Sequence, residues 1–217
     1  MIKGIIFDMD GVIVDSHDVY YENWNSVFEK NFNVSISKKD FAENLGHSAI
    51  HFTEVFLNKN NVNADPEKVL KEIMENHDKL KHKVTLKSGA VETLTRLKKN
   101  YKIALATGAL KEMALDYLTR LNIKKYFDFV IAGDEVKRAK PEPEIFIKAA
   151  CGLNFKPKEC VVVEDAMLGI IAAKKANMYV ISIQDPYTKH QDHSMADLQL
   201  QKISELTYER IRRLENG

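Results

Sequence analysis

The sequence predicts an α/β protein: a doubly wound parallel sheet with an α-helical cap domain inserted near its start. Three observations carry this expectation. Five short apolar runs, at 4–8, 102–107, 129–133, 160–165 and 179–183, read as strands. Helical patterns separate the last four of them. The stretch between the first and second runs reads as helices without a convincing strand. Unbroken apolar runs rich in Val and Ile suit strands covered on both faces. Strands alternating with helices imply βαβ units and a parallel sheet.

Taken in order, "GIIFD" (4–8) is the first strand. After it, Tyr20, Trp24, Val27 and Phe28 recur as one helical stripe, the mark of a helix facing a core rather than a ligand. The segments 49–60 and 66–81 supply further helices, with Pro66 suited to the start of the second. A helical block this large exceeds a simple crossover. It reads as a cap at 16–84, joined near 12–16 and 84–88 to a core made of 1–15 and 85–217. In the core, Ser88 is placed to cap a helix over 89–100, where Val91, Leu94 and Leu97 repeat every three residues. Met113, Leu118 and Leu121 share a face of the next helix, over 110–122. Pro141 suits the first turn of a helix over 141–152, and Gly152 suits its end. A helix over 166–177 lies between the last two strands, and a final one over 204–217 has Ser204 as its cap.

Composition narrows the function. The chain has 217 residues, 45% hydrophobic and 29% charged, as expected for a globular protein. A net charge of +1 gives no electrostatic reason to expect nucleic-acid or membrane binding. No apolar run approaches bilayer-spanning length, and no leader pattern precedes the first strand, so a cytoplasmic location is expected; the protein is also expected to be a monomer. Cys151 and Cys160 read as free thiols, too few and unpatterned for zinc or a disulfide framework. "KHQDHS" (189–194) reads as a solvated loop. There is no internal repeat or low-complexity segment.

Ligands of open parallel sheets sit beyond the carboxyl ends of the strands. Those ends carry Asp8 and Asp10 in "DMDG", Thr107 in "ATG", and Glu164 and Asp165 in "EDA". Lys140 lies in the loop after the third strand. Singly, each has an ordinary reading as a turn, a cap or a solvated charge. Together they place four carboxylates, a hydroxyl and an ammonium on one rim. Crowded carboxylates repel unless a divalent cation neutralises them, and all-oxygen ligands suit Mg²⁺. Lys140, Thr107 and the backbone after Asp8 make a pocket for an anion, which points to phosphate chemistry. On extended chain Asp8 and Asp10 would face the same way, ~7 Å apart.

These four motifs, in this order over about residues 3–185, resemble those of the haloacid dehalogenase superfamily. "DMDG" resembles the first motif, Thr107 the second, Lys140 in "KPEPEIF" the third and "VEDAMLGIIAAKKA" the fourth. The insertion after the first strand resembles the helical-cap subgroup, and the β-phosphoglucomutase-like phosphatases within it. The resemblance implies a Rossmann-like core and a small phosphorylated metabolite, such as a sugar, polyol or nucleoside phosphate, as substrate. It implies Asp8 as nucleophile and metal ligand, and Asp10 as general acid and base. Thr107 and Lys140 would bind phosphate oxygens, with Gly108 beside them. Glu164, Asp165 and the Asp10 carbonyl would complete the Mg²⁺ site. Gly46 and His47 fall where the family places a substrate-specificity loop.

The sugar phosphomutases of the subgroup bind a second phosphate with basic or hydroxyl groups. Here Ala49 stands where an arginine aligns, Tyr20 where a histidine aligns, and Gly108, Ala109 and Leu110 follow Thr107. Water is therefore the expected acceptor, and a phosphatase the expected enzyme, with a phosphomutase as the alternative. A non-catalytic binding module on the same fold would be expected to lack Asp8, Asp10, Lys140 or Asp165, and all four are present. His47 and His51 read as surface histidines one helical turn apart.

Overall fold

The computed structural model describes residues 1–215. Its elements run β1 (Gly4–Phe7), β2 (Val14–Asp15), α1 (His17–Phe32), α2 (Lys38–Glu43), α3 (Ala49–Lys59), α4 (Pro66–Leu80), β3 (Thr85–Leu86), α5 (Ala90–Leu97), β4 (Lys102–Ala106), α6 (Lys111–Arg120), β5 (Phe129–Ile131), α7 (Glu144–Gly152), β6 (Cys160–Glu164), α8 (Met167–Lys175), β7 (Tyr179–Ile183), β8 (Leu198–Leu200) and α9 (Tyr208–Arg213). Six strands form one sheet in the order β5-β4-β1-β6-β7-β8, every neighbouring pair parallel. In register, Gly4 of β1 lies opposite Lys102 of β4 on one side and Cys160 of β6 on the other. The first strand in sequence is thus central in space. Its side chains alternate between the two faces: Ile5 and Phe7 join one apolar cluster, and Ile6 joins another.

The predicted α/β class and all five strands are present. Four strands stop short of their predicted ends, at Phe7, Ala106, Ile131 and Glu164. The reason is local: Asp8, Thr107 and Asp165 are the first residues past the ladder, where side chains are free to face a ligand. A sixth strand, β8, was not foreseen, because three residues carry no readable period. Three caps differ from expectation. Gly89, with φ +82°, occupies the N-cap of α5 in place of Ser88. The helix expected from Pro141 begins at Glu144, because Glu142 precedes a second proline and such residues avoid helical backbone. Thr207, in place of Ser204, caps α9, its hydroxyl accepting from the Arg210 N–H at 3.3 Å. The last two residues expected in that helix, 216 and 217, lie outside the described residues. At α4 the expectation holds: Pro66 starts the helix and the Asp65 carboxylate accepts from Glu67 N–H.

Helices α1 to α4 have an apolar cluster of their own, with Trp24, Phe28, Phe41, Phe52, Phe56 and Ile73 buried in it. The chain leaves the sheet for these helices through β2 and returns through β3. The two pair antiparallel, Val14 opposite Leu86 and Asp15 opposite Thr85. This small ribbon fixes the outgoing and returning chain side by side, so the helical insertion stands over the end of β1.

Candidate active site

The site begins where β1 ends. Asp8 still donates its N–H to Val163 O, at 2.9 Å, so its Cα is held by the sheet while its side chain is free of it. The chain then turns rather than extends, against the expectation of an extended Asp8–Asp10 pair. Ile13 and Val14 both donate their N–H to Met9 O, and Gly11 adopts φ +74°. A side chain at Gly11 would be strained by that φ, and its Cβ would fall 2.3 Å from an Asp165 oxygen. "DMDG" is therefore a turn shaped around Asp165.

Lys140 crosses from the loop before α7 to donate to Asp8 Oδ1 at 2.6 Å and to Glu164 Oε1 at 2.5 Å. All three groups are buried. The other Glu164 oxygen accepts from the backbone N–H of Asp165 (2.8 Å) and Ala166 (2.9 Å), the start of α8. Gly169, one turn along, leaves room for this carboxylate: a Cβ there would lie 1.7 Å from Glu164 Oε1. Asp165 is held by Thr188, whose hydroxyl donates to Oδ2 at 3.0 Å.

Burial raises the pKa of two carboxylates here, Asp8 and Asp165. Asp8 is pushed well above the usual carboxylate range by burial, against the pull of Lys140, and Glu164 and Asp165 add to the push. Asp165 is raised by burial, then by Glu164 and Asp185. Burial opposes the charge on Lys140, but Asp8 and Glu164 outweigh it and keep the amine protonated. Oxygens of Asp8, Glu164 and Asp165 all lie within 4.8 Å of one another. Three buried carboxylates against one ammonium form an anionic, all-oxygen donor set, and that set fits a hard divalent cation.

Asp10 faces the same space from the other side. Its Oδ1 accepts from Ser16 Oγ at 2.5 Å and from the Tyr20 hydroxyl at 2.9 Å. Thr107 lies at the end of β4, fully buried, with Oγ1 3.5 Å from Asp10 Oδ2 and accepting the Ala109 N–H at 3.1 Å. Thr107 does not itself line the cavity, although Gly108, Ala109 and Leu110 do. The cavity lies between the strand ends and the helical insertion. About 120 Å³ of it is open to the centre of a water molecule. Asp8, Asp10, Lys140, Glu164 and Asp165 form its floor, and Gly46 and His47 stand in its wall.

Three expectations need correction. Tyr20 and Trp24 read as helix core in the sequence. Both are packed in apolar clusters, but both also line the cavity, and Tyr20 bonds Asp10. His47 precedes α3 rather than lying within it, and its ring stacks near His51 with centroids 4.5 Å apart. Burial, then His51, lowers the pKa of His47.

The segment 189–194 is a loop with Lys189, His190, Asp192 and Ser194 exposed as expected, but it is not wholly solvated. Gln191 accepts from Met167 N–H at 2.8 Å and donates to the carbonyls of Ala42 (3.2 Å) and Leu45 (3.5 Å), and His193 is buried. Just upstream, Asp185 accepts from Lys87 and contacts His17 Nδ1 at 3.0 Å. Tyr187 bonds Asp18 and packs edge-on against Phe41. His17, Asp165 and Asp185 form a second acidic cluster, but the carboxylate of Asp185 is already satisfied by His17 and Lys87. These residues escaped the sequence reading. A signal was available for one: Asp185 follows the carboxyl end of β7, the position that exposed the others.

Comparison with known proteins agrees with this geometry. Residues 5–183 match the family model described as haloacid dehalogenase-like hydrolase. A phosphorylated carbohydrates phosphatase of Thermotoga maritima is 32% identical over 183 residues, 81% of this chain and 82% of the relative. The β-phosphoglucomutase of Bacillus subtilis is 29% identical over 224 residues, covering 95% of this chain and 92% of that one. Among solved structures, a β-phosphoglucomutase from Clostridium difficile superposes with a TM-score of 0.89 at 29% identity, covering 100% of this chain and 98% of that one. A motif set, a sheet order and a family match over most of the length converge: this chain belongs to the haloacid dehalogenase-like hydrolases.

Proposed function

We propose that the protein is a Mg²⁺-dependent phosphatase of small phosphorylated metabolites, with helices of 16–84 acting as a cap over a core of 1–15 and 85–217. The observation that carries the reading is the buried Asp8–Lys140–Glu164 cluster with Asp165 beside it, at the floor of a cavity. Asp8 is the nucleophile and attacks phosphorus in line, forming an aspartyl phosphate. Lys140 holds the Asp8 carboxylate in place and faces the phosphoryl oxygens. The backbone at Gly108 borders the same oxygens, and Thr107 beneath it holds this loop through the Ala109 N–H. Asp10, held by Ser16 and Tyr20, gives a proton to the leaving oxygen, then takes one from the water that cleaves the intermediate. Asp8, Glu164 and Asp165, with the Asp10 carbonyl, would hold Mg²⁺, which when bound would supply positive charge against the phosphoryl group. The protein acts as a monomer.

Hydrolysis is favoured over phosphoryl transfer between sugar positions. A mutase handles a second phosphate, and among the described lining residues Lys140 is the only lysine or arginine. That ammonium is already engaged by Asp8 and Glu164.

The test uses the Asp10→Asn variant in rapid-quench experiments. p-Nitrophenolate leaves without a proton, so p-nitrophenyl phosphate should still phosphorylate Asp8. The expected trace is a burst of p-nitrophenolate, then a steady state slowed by about 10²–10⁴, the usual worth of general acid–base catalysis. Absence of a burst, with no trapped phospho-enzyme, refutes the assigned role. Absence of any Mg²⁺-dependent turnover in the unaltered protein supports a binding module instead.

A further inference from the structure

Above its acidic floor the cavity changes character. Trp24, Phe41, Phe52, Met74, Leu110 and Met113 line it. Trp24 and Phe52 meet edge to face at 5.4 Å, and Phe41 and Phe52 at 5.1 Å, so these rings form one continuous wall. Polar side chains in this upper part are few. The Tyr20 hydroxyl is spent on Asp10. Trp24 is 7% exposed, and its Nε1 is a buried donor with no partner among the described residues. The His47 ring is the available polar group.

From this we infer that the alcohol released is neutral and largely apolar, a ring-bearing body with one or two hydrogen-bonding groups rather than a densely hydroxylated sugar or a second phosphate. The inference rests on the phosphatase reading and narrows its substrate class. The physical reason is the asymmetry of burial. Apolar surface gains by leaving water for the Trp24–Phe52 wall. A hydroxyl placed there without a partner loses its hydration and recovers nothing. A pyranose 6-phosphate brings four free hydroxyls to a wall whose available polar side chain is His47. Among the described lining residues a second phosphate would meet no unpaired lysine or arginine. Trp24 is thus the specificity-determining residue: its ring, edge to face with Phe52, carries the apolar face of the wall.

The experiment compares cyclohexylmethyl phosphate, glucose 6-phosphate and fructose 1,6-bisphosphate with the Mg²⁺-loaded enzyme. The first two share a six-membered ring and a primary phosphate ester, so their leaving alcohols are matched in intrinsic reactivity. The expected kcat/KM for cyclohexylmethyl phosphate exceeds that for either sugar phosphate by at least tenfold. Trp24→Ala should shrink that ratio at least fivefold. Leu110→Asn, at a position 36% exposed where folding is not at stake, should shrink it in the same direction. Equal or better use of glucose 6-phosphate or the bisphosphate overturns the inference and leaves the phosphatase reading standing. Failure to hydrolyse all three and p-nitrophenyl phosphate removes both.

Discussion

Gly169→Ala is a small change with a large expected effect. In an exposed helix the substitution gains stability, roughly 0.8–1.0 kcal/mol from helix propensity. Here the added Cβ would lie 1.7 Å from Glu164 Oε1 and 2.1 Å from Cδ. Glu164 must move, and it has nowhere to go without losing partners: Lys140 on one oxygen, two backbone N–H groups on the other. Breaking a buried ion pair costs about 3–5 kcal/mol. The net is a destabilisation of about 2–4 kcal/mol. For a chain of this size each kcal/mol shifts Tm by about 2–4 °C, so a fall of about 5–15 °C is expected by differential scanning calorimetry. Phosphatase activity should fall at least tenfold, because Lys140 loses Glu164, the carboxylate that aims it at Asp8. Gly108→Ala is the control for stability, since a Cβ there meets nothing within 4 Å. A Gly169→Ala protein with unchanged or higher Tm and full activity would refute the assigned position of Glu164.

Asp8→Asn should abolish turnover in a p-nitrophenyl phosphate assay, and activity within tenfold of the unaltered enzyme counts against covalent catalysis. Tyr20→Phe removes one hydrogen bond to Asp10 worth about 1 kcal/mol, so kcat for an alkyl phosphate should drop about fivefold while p-nitrophenyl phosphate is affected less. Equal losses on both substrates would show that Tyr20 does not act through Asp10. EDTA should silence the enzyme and Ca²⁺ should restore it poorly, because its looser coordination misplaces Asp8; full activity in EDTA after dialysis removes the metal role of Asp165 and Glu164. Thiol titration at pH 8 should find one fast group, the exposed Cys151, because burial pushes the Cys160 thiol up to about 12. Two fast thiols in the folded protein would contradict the packing of β6 against its neighbours.

Much of this architecture is written in short-range pattern. Asp8, Thr107 and Asp165 could be found because each directly follows an apolar strand, and parallel sheets gather such positions on one rim. Lys140 needed a motif, since no periodicity marks a loop lysine. What stayed hidden depends on contacts between distant segments. Tyr20 has the spacing of a core residue and is packed as one, yet its hydroxyl reaches Asp10 ten positions earlier. The role of Gln191 follows from where α2 ends, which nothing in "KHQDHS" encodes. The caps at Gly89 and Thr207 were missed because a serine lay one and three residues away, and propensity alone does not choose between neighbours.

The segment that follows β7 touches both halves of the molecule at once. Thr188 holds Asp165 at the floor, while Tyr187 and Gln191 hold α1 and the end of α2 above it. If Asp165 holds the proposed cation, its stance and the seating of the helices are linked through this segment, and linkage runs both ways. If seating the helices strengthens cation binding tenfold, cation binding favours the seated helices tenfold, about 1.4 kcal/mol in either direction. On that reading, charging the floor would favour the seated helices, and a product that unseats them on leaving would weaken the hold on the ion beneath.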